Sequence, residues 1–166
     1  TNREDTIADQ EMTVELSRID LKQFKKVLPY LPDVEGWLGG SAHYVDSEGQ
    51  MMLSADVSLD HFVYEKSPLG NWAMNGVYLP GDNNTHHVDG FIMHNDQEIM
   101  FMNGIYQTDE TGKENITGEL ELQHFPLWVI NPFVPDGIVN FRGDIDGTLA
   151  MEGNPLKPVL NGGLQL

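Results

Sequence analysis

At 166 residues without a single cysteine, the chain is long enough to bury a real core and needs no disulfide staples; the missing thiols exclude zinc ribbons, thiol nucleophiles and iron–sulfur clusters. Aspartate and glutamate outnumber lysine and arginine 26 to 9, a formal charge of −17 that repels phosphate backbones, so nucleic acid is not an expected partner. No run approaches the roughly 20 apolar residues of a membrane span, and Thr1-Asn2-Arg3-Glu4-Asp5 lacks the basic and apolar regions of a signal peptide, so any membrane anchor is expected outside this segment.

The first period-two alternation falls at Met12, Val14 and Leu16 and predicts a half-buried strand. A short helix is expected over Asp20–Leu28, with Asp20 as N-cap, a stripe of Leu21, Phe24, Val27 and Leu28, and Pro29 as the stop. Strand alternation resumes at Leu53, Ala55, Val57 and Leu59, while Ile99 to Met102 is apolar on consecutive positions and predicts a strand covered on both faces. Ile116, Leu120 and Leu122 mark another strand, and Pro126 opens a helical turn with Leu127 and Ile130 facing inward and Pro132 ending it.

The longest alternation runs from Ile138 to Met151: Val139, Phe141, Ile145, Leu149 and Met151 interleave with Asn140, Arg142, Asp144, Asp146 and Thr148. Leu160, Leu164 and Leu166 form a last strand pattern. Turn clusters at Asp46–Gly49, Gly81–Asn84, Asn95–Gln97, Asp109–Gly112 and Gly153–Pro155 break these runs into hairpins. The expected fold is all-β: an elongated antiparallel meander or β-taco-like curled sheet with an apolar groove and one or two short helical turns.

Two phrases repeat. Pro29-Tyr30-Leu31-Pro32-Asp33 and Pro132-Phe133-Val134-Pro135-Asp136 share proline, aromatic, aliphatic, proline and aspartate, and Gly40 and Gly143 stand at the same offset, each expected to open a strand. Leu59-Asp60-His61-Phe62 is echoed by Leu122-Gln123-His124-Phe125. A repeated strand-and-corner unit is the mark of an architecture that elongates by stacking. The expectation is one β-rich segment, residues 1–166 of a larger protein, with two related units at about 17–60 and 120–166.

Chemistry finds little purchase in this pattern. Carboxylate pairs are unavoidable in so acidic a chain and read as a solvated strand face rather than a general acid and base. Gly36-Trp37-Leu38-Gly39-Gly40 has no following lysine or helix and reads as a corner, not a phosphate cradle. Asp144-Ile145-Asp146-Gly147 fails as a calcium loop, because the required ligand positions fall on Arg142 and Gly153. The six histidines lack ligand spacing, and His86 and His87 point to opposite faces if they lie in a strand. No catalytic residue, cofactor or metal is therefore expected, and the chain is not expected to be an enzyme.

The phrases Ile130-Asn131-Pro132-Phe133-Val134-Pro135-Asp136-Gly137, Phe141-Arg142-Gly143-Asp144-Ile145-Asp146-Gly147 and Gly153-Asn154-Pro155 through Pro158-Val159-Leu160-Asn161-Gly162 resemble the strand-and-return unit of the TamB family, the AsmA-related translocation and assembly module proteins. The resemblance covers Pro126 to Leu166 and extends more weakly to Asp20–Leu59, while 62–115 shows only generic strand pattern. It implies a periplasmic location, a parent protein anchored in the inner membrane, and an apolar groove that carries phospholipid acyl chains toward the outer membrane. It also implies a role in outer-membrane protein assembly with an Omp85-type partner.

The groove candidates are Val139, Phe141, Ile145, Leu149, Met151, Leu120, Leu122, Leu160 and Leu164. With no basic clamp in the sequence, little headgroup discrimination is expected, and substitution of Asp146 on the wet face is expected to be nearly neutral. Gly143 and Gly147 on the apolar face are expected to leave room for a tail or for another layer. Two other readings compete. One is a strand-edge protein-interaction module. The other is an extracellular carbohydrate-binding sandwich with Trp37, Trp72 and Trp128 as stacking platforms.

Overall fold

The computed structural model describes residues 9–166, so the Thr1–Asp5 start lies outside the described residues. Nine strands form one open antiparallel sheet in which every strand pairs with its neighbour in sequence: β1 Gln10–Asp20, β2 Val34–Ser47, β3 Gln50–Tyr64, β4 Ser67–Pro80, β5 Thr85–His94, β6 Gln97–Thr108, β7 Glu114–Pro126, β8 Asp144–Asn154 and β9 Lys157–Gln165. The all-β meander expected from period-two patterning is what the chain forms.

Local chemistry sets the hairpins. Glu48-Gly49, Glu65-Lys66 and Asn95-Asp96 each take positive φ at both positions, between the directly paired residues Ser47 and Gln50, Tyr64 and Ser67, and His94 and Gln97. Such two-residue turns carry a twist that matches the right-handed twist of the flanking strands. Glu65-Lys66 carries no glycine, asparagine or aspartate and so gave no turn signal.

Pairing then slips at adjoining levels of neighbouring strands, between Leu16 and Ile19, Glu35 and Trp37, Leu59 and Phe62, Ile92 and Met93, and Leu122 and Phe125. Bulges bend a strand and sharpen its twist, so a line of them bends the whole sheet. The two Leu-x-His-Phe phrases sit on this line. His61 and His124 both take left-handed φ, 52° and 45°, and their amides donate to side chains of the next strand, Asn71 Oδ1 at 2.8 Å and Asp146 Oδ1 at 2.9 Å.

The meander is interrupted twice by helical corners, α1 Lys22–Val27 between β1 and β2 and a 310 helix Leu127–Phe133 between β7 and β8. Asp20 ends β1 and its carboxylate accepts from the Lys22 amide at 3.0 Å, but the N-cap position is taken by Leu21 and not, as expected, by Asp20. The apolar stripe of α1 is not buried as expected: Phe24 and Val27 are exposed, because the helix lies beside β2 with no second layer beneath it. In the 310 helix Val129 is the buried residue, and Pro132 lies inside rather than at the end.

The strand expected over Ile138–Met151 is shorter, beginning at Asp144. Asn131 explains the difference. Its Oδ1 accepts from the Phe141 amide at 2.7 Å and its Nδ2 donates to the Phe141 carbonyl at 2.9 Å, so these backbone groups are taken by a side chain and not by a ladder. Gly143, left-handed at φ 83°, precedes β8, whereas Gly40 lies within β2 and opens nothing. The residue that answers Gly143 is Gly36: the amides of Leu21 and Leu127 donate to the Gly36 and Gly143 carbonyls, each at 3.0 Å.

Candidate functional site

Cross-strand register places whole tiers of side chains on one face. One tier runs from Leu16 on β1 through Val57, Met74, Ile92, Met100 and Leu122 to Leu164 on β9, with Gly40 and Gly147 filling the two remaining strands. The next tier links Val14, Ala42, Ala55, Met102, Leu120 and Leu149, with glycines at 76, 90 and 162. A third includes Met12, Leu53, Val88, Met151 and Leu160, together with Tyr44 and Tyr78. The opposite face carries Glu15, Asp56, Asp89, Glu119, Glu121 and Glu152 among its pairs. One side of the sheet is apolar from first strand to last, and the other mixes these acids with Met52, Leu79, Phe91, Phe101 and Ile105.

Among the described residues, nothing covers much of the apolar side. Met12, Val14, Leu16, Met74, Leu160 and Leu164 are all exposed, and among the described residues the buried apolar core is Leu69, Ile99 and Val129. Toward the bulged ends of the strands this face deepens into an apolar cavity of about 490 Å³, lined by Leu38, Leu59, Trp72, Met74, Ile92, Phe125 and others. Leu38 on β2 and Phe125 on β7 border the same space, so the sheet curls round it. The 310 helix supplies Val129, Ile130 and Phe133 to its wall. Phe133 packs on Tyr64 of β3 with ring centroids 4.4 Å apart, tying the corner back across the curl.

Behind the cavity's Trp72 wall, His94, 7% exposed, is bracketed by Trp72 and Trp128, at 4.5 and 5.8 Å between ring centroids. Its Nε2 lies 2.7 Å from the Leu69 carbonyl, and the Trp72 indole donates to that carbonyl at 3.0 Å. One carbonyl oxygen thus satisfies two ring nitrogens, and the wall above them is left without polar demand.

Of the groove candidates, Leu120, Leu122, Leu149, Met151, Leu160 and Leu164 share the apolar face. Ile145 pairs with Phe125 at the cavity end. Val139 and Phe141 stand apart in the Asn131-bound loop; Val139 is exposed. Ile99, expected to be covered on both sides, is buried, but Met102 of the same run lies exposed on the apolar face. The cavity itself rests on Leu38, Phe62, Leu69, Trp72 and Phe125, which period-two patterning did not single out. The Leu-x-His-Phe echo was a sequence signal for it, since both its phenylalanines line the cavity, as do Val57 and Leu59 of the alternation and the inward-facing Ile130.

A β-carbon on Gly147 would meet the Gly163 carbonyl and Leu164. Its bareness serves the close approach of β9 within the sheet, and Gly143 is required by its left-handed turn rather than by a tail or a second layer. Asp146 is engaged with His124, its Oδ2 lying 3.1 Å from Nδ1. Among the described residues, no group of three or more His, Asp or Glu is placed to hold a metal ion. His86 and His87 face opposite sides, the former stacked on Tyr78. Trp37 lies beneath the Arg18 guanidinium at 4.7 Å, away from Trp72 and Trp128, so the three indoles do not make one platform.

No protein-family model, no curated protein and no solved structure matches this chain.

Proposed function

We propose that the chain is a non-catalytic segment that holds phospholipid acyl chains in its trough, as part of a TamB- or AsmA-like envelope protein that carries phospholipid across the periplasm toward the outer membrane. The observation that carries this reading is the continuity of the apolar tiers from Leu16 to Leu164, across all nine strands and out to both edges of the sheet.

A face that apolar ordinarily packs on a second layer. Here a lipid tail serves as that layer. Each methylene removed from water contributes about 0.8 kcal/mol, so one tail supplies roughly 10 kcal/mol with no specific polar contact. The tiers continue from strand to strand, which suits movement along the trough. Purification of the segment followed by lipid extraction and mass spectrometry tests the reading; a folded chain that takes up neither lipid nor a neutral apolar fluorophore rejects it.

A second reading is favoured by β9, whose residues are exposed throughout and whose outer edge pairs with no other described strand. Such an edge suits addition of a partner strand, as in assembly with an Omp85-type outer-membrane protein. Crosslinking from Val159 and Asn161 into a partner, independent of lipid content, tests it.

A further inference from the structure

The trough has a mouth as well as a floor. From the third tier outward, at the hairpin ends opposite the cavity, polar atoms enter the apolar face as an aromatic row: the Tyr78 hydroxyl lies 2.6 Å from His86 Nδ1, and His86 stands between the Tyr78 and Tyr106 rings at 5.8 and 5.7 Å. Tyr44 joins the same side, its hydroxyl 3.5 Å from Asp46 Oδ2.

Depth places this row where a lipid changes character. Four strand steps of about 3.3 Å carry the chain about 13 Å from cavity-lining Met74 to Tyr78, close to the roughly 15 Å of hydrocarbon in one bilayer leaflet. Tyrosine is the side chain that suits such a boundary, with an apolar ring and a hydroxyl in water.

Charge at the mouth is predominantly acidic. Asp46, Glu48, Asp82, Asp109, Glu110 and Glu114 lie in or beside the turns there, with Lys113 and Lys157 the two basic residues among the described residues at that end. The Glu114 carboxylate, near the Tyr106 phenol, holds that hydroxyl's pKa above its ordinary value, so an acidic group stands close to the aromatic row.

We propose that the Tyr78–His86–Tyr106 row is the headgroup site of the trough, and that it selects phospholipids whose headgroup carries an ammonium over those with a net negative headgroup. The proposal rests on the lipid reading above and adds the class of lipid. An ammonium is drawn to aromatic faces and to the carboxylates behind them, while a phosphatidylglycerol headgroup brings only negative charge to an acidic mouth. The sequence alone suggests little discrimination because it lacks a basic clamp; folding assembles an acidic and aromatic one.

The test incubates the 166-residue chain with vesicles of equal parts phosphatidylethanolamine and phosphatidylglycerol bearing identical acyl chains, and reads the ratio of lipids recovered with the protein. The expected result is enrichment of the ethanolamine lipid by about two- to fivefold per aromatic–ammonium contact, reduced by salt. Tyr78→Leu with Tyr106→Leu, which keep apolar area, should abolish the enrichment while total lipid per protein is retained. Enrichment is read first on the unaltered chain, so a poorly folded variant does not remove the test. Recovery of the two lipids in the vesicle ratio, or enrichment of phosphatidylglycerol, overturns the headgroup site and leaves the trough standing. Recovery of neither, with no uptake of a neutral fluorophore, overturns the trough and the headgroup site together.

Discussion

The Leu127 amide donates to the Gly143 carbonyl at 3.0 Å, closing the corner through which the 310 helix joins β7 to β8, and the Leu21 amide closes the α1 corner on Gly36 at the same distance. Gly36 holds φ 139°, and a β-carbon there would stand 3.0 Å from the Asp60 carbonyl.

Gly36→Ala should therefore destabilise the fold by more than about 1 kcal/mol, since alanine gains nothing where φ is positive and the space is filled by backbone. Gly39→Ala is the control. Its φ is ordinary and its nearest neighbour is the Ser58 side chain at 3.5 Å, so the change should fall within about 0.5 kcal/mol. Urea midpoints of the two variants check the difference, and equal midpoints would remove the corner from the account of stability.

Asp146 faces solvent, and by pattern alone its replacement should be silent. In the folded chain its carboxylate accepts from the left-handed His124 amide at 2.9 Å, as Asn71 does for His61. Asp146→Ala should cost about 1 kcal/mol, at the lower end for an exposed site where water substitutes in part. Asp146→Asn keeps an acceptor and should lose less. The His124 amide resonance should shift in both variants, more in alanine, and an unmoved resonance would contradict the bond.

The Thr111 hydroxyl and then the Lys113 and Thr111 amides bond the Asp109 carboxylate and hold its pKa below the ordinary aspartate value. A depressed folded-state pKa gives the β6–β7 turn stability that is present above the unfolded value of about 3.9 and lost as pH falls through the folded one. Carboxyl-carbon titration should place Asp109 below the other exposed aspartates, and Thr111→Val should move it upward.

Strand existence, the polarity of each face and most turns were legible because they depend on residues one or two apart: Met12 with Val14, Leu149 with Met151, Asp46 through Gly49. The cavity was not. Phe62 and Phe125 reach it only because bulges at His61 and His124 reset the alternation, and Phe133 reaches it because a whole corner folds back onto Tyr64. Val139 and Phe141 fit the alternation and still lie off the sheet, since Asn131, ten residues upstream of Phe141, takes the backbone bonds a strand needs. Side-chain capture of backbone at long range leaves no periodic trace.

The two faces can be separated by a pair of substitutions matched for exposure. Met74, 49% exposed, lies on the apolar tier at the cavity, and Ile105, 41% exposed, lies in a tier of the opposite face between His87 and Thr117. Because neither side chain is deeply buried, Met74→Glu and Ile105→Glu should lower stability by similar, modest amounts, which thermal melts of both variants verify. Their effects on uptake should diverge. A tail lying over position 74 would strip water from the new carboxylate, at a cost of several kcal/mol for an unpaired charge, so binding of a neutral apolar fluorophore or of phospholipid should fall at least about tenfold. At position 105 the carboxylate stays in water between His87 and Thr117, and uptake should be unchanged. Leu149→Glu, two tiers from the cavity floor and still on the apolar face, should behave like Met74→Glu if the trough is used along its length. Equal uptake by all three folded variants would show that the apolar face is not the binding surface, and loss confined to Ile105→Glu would move the site to the acidic side.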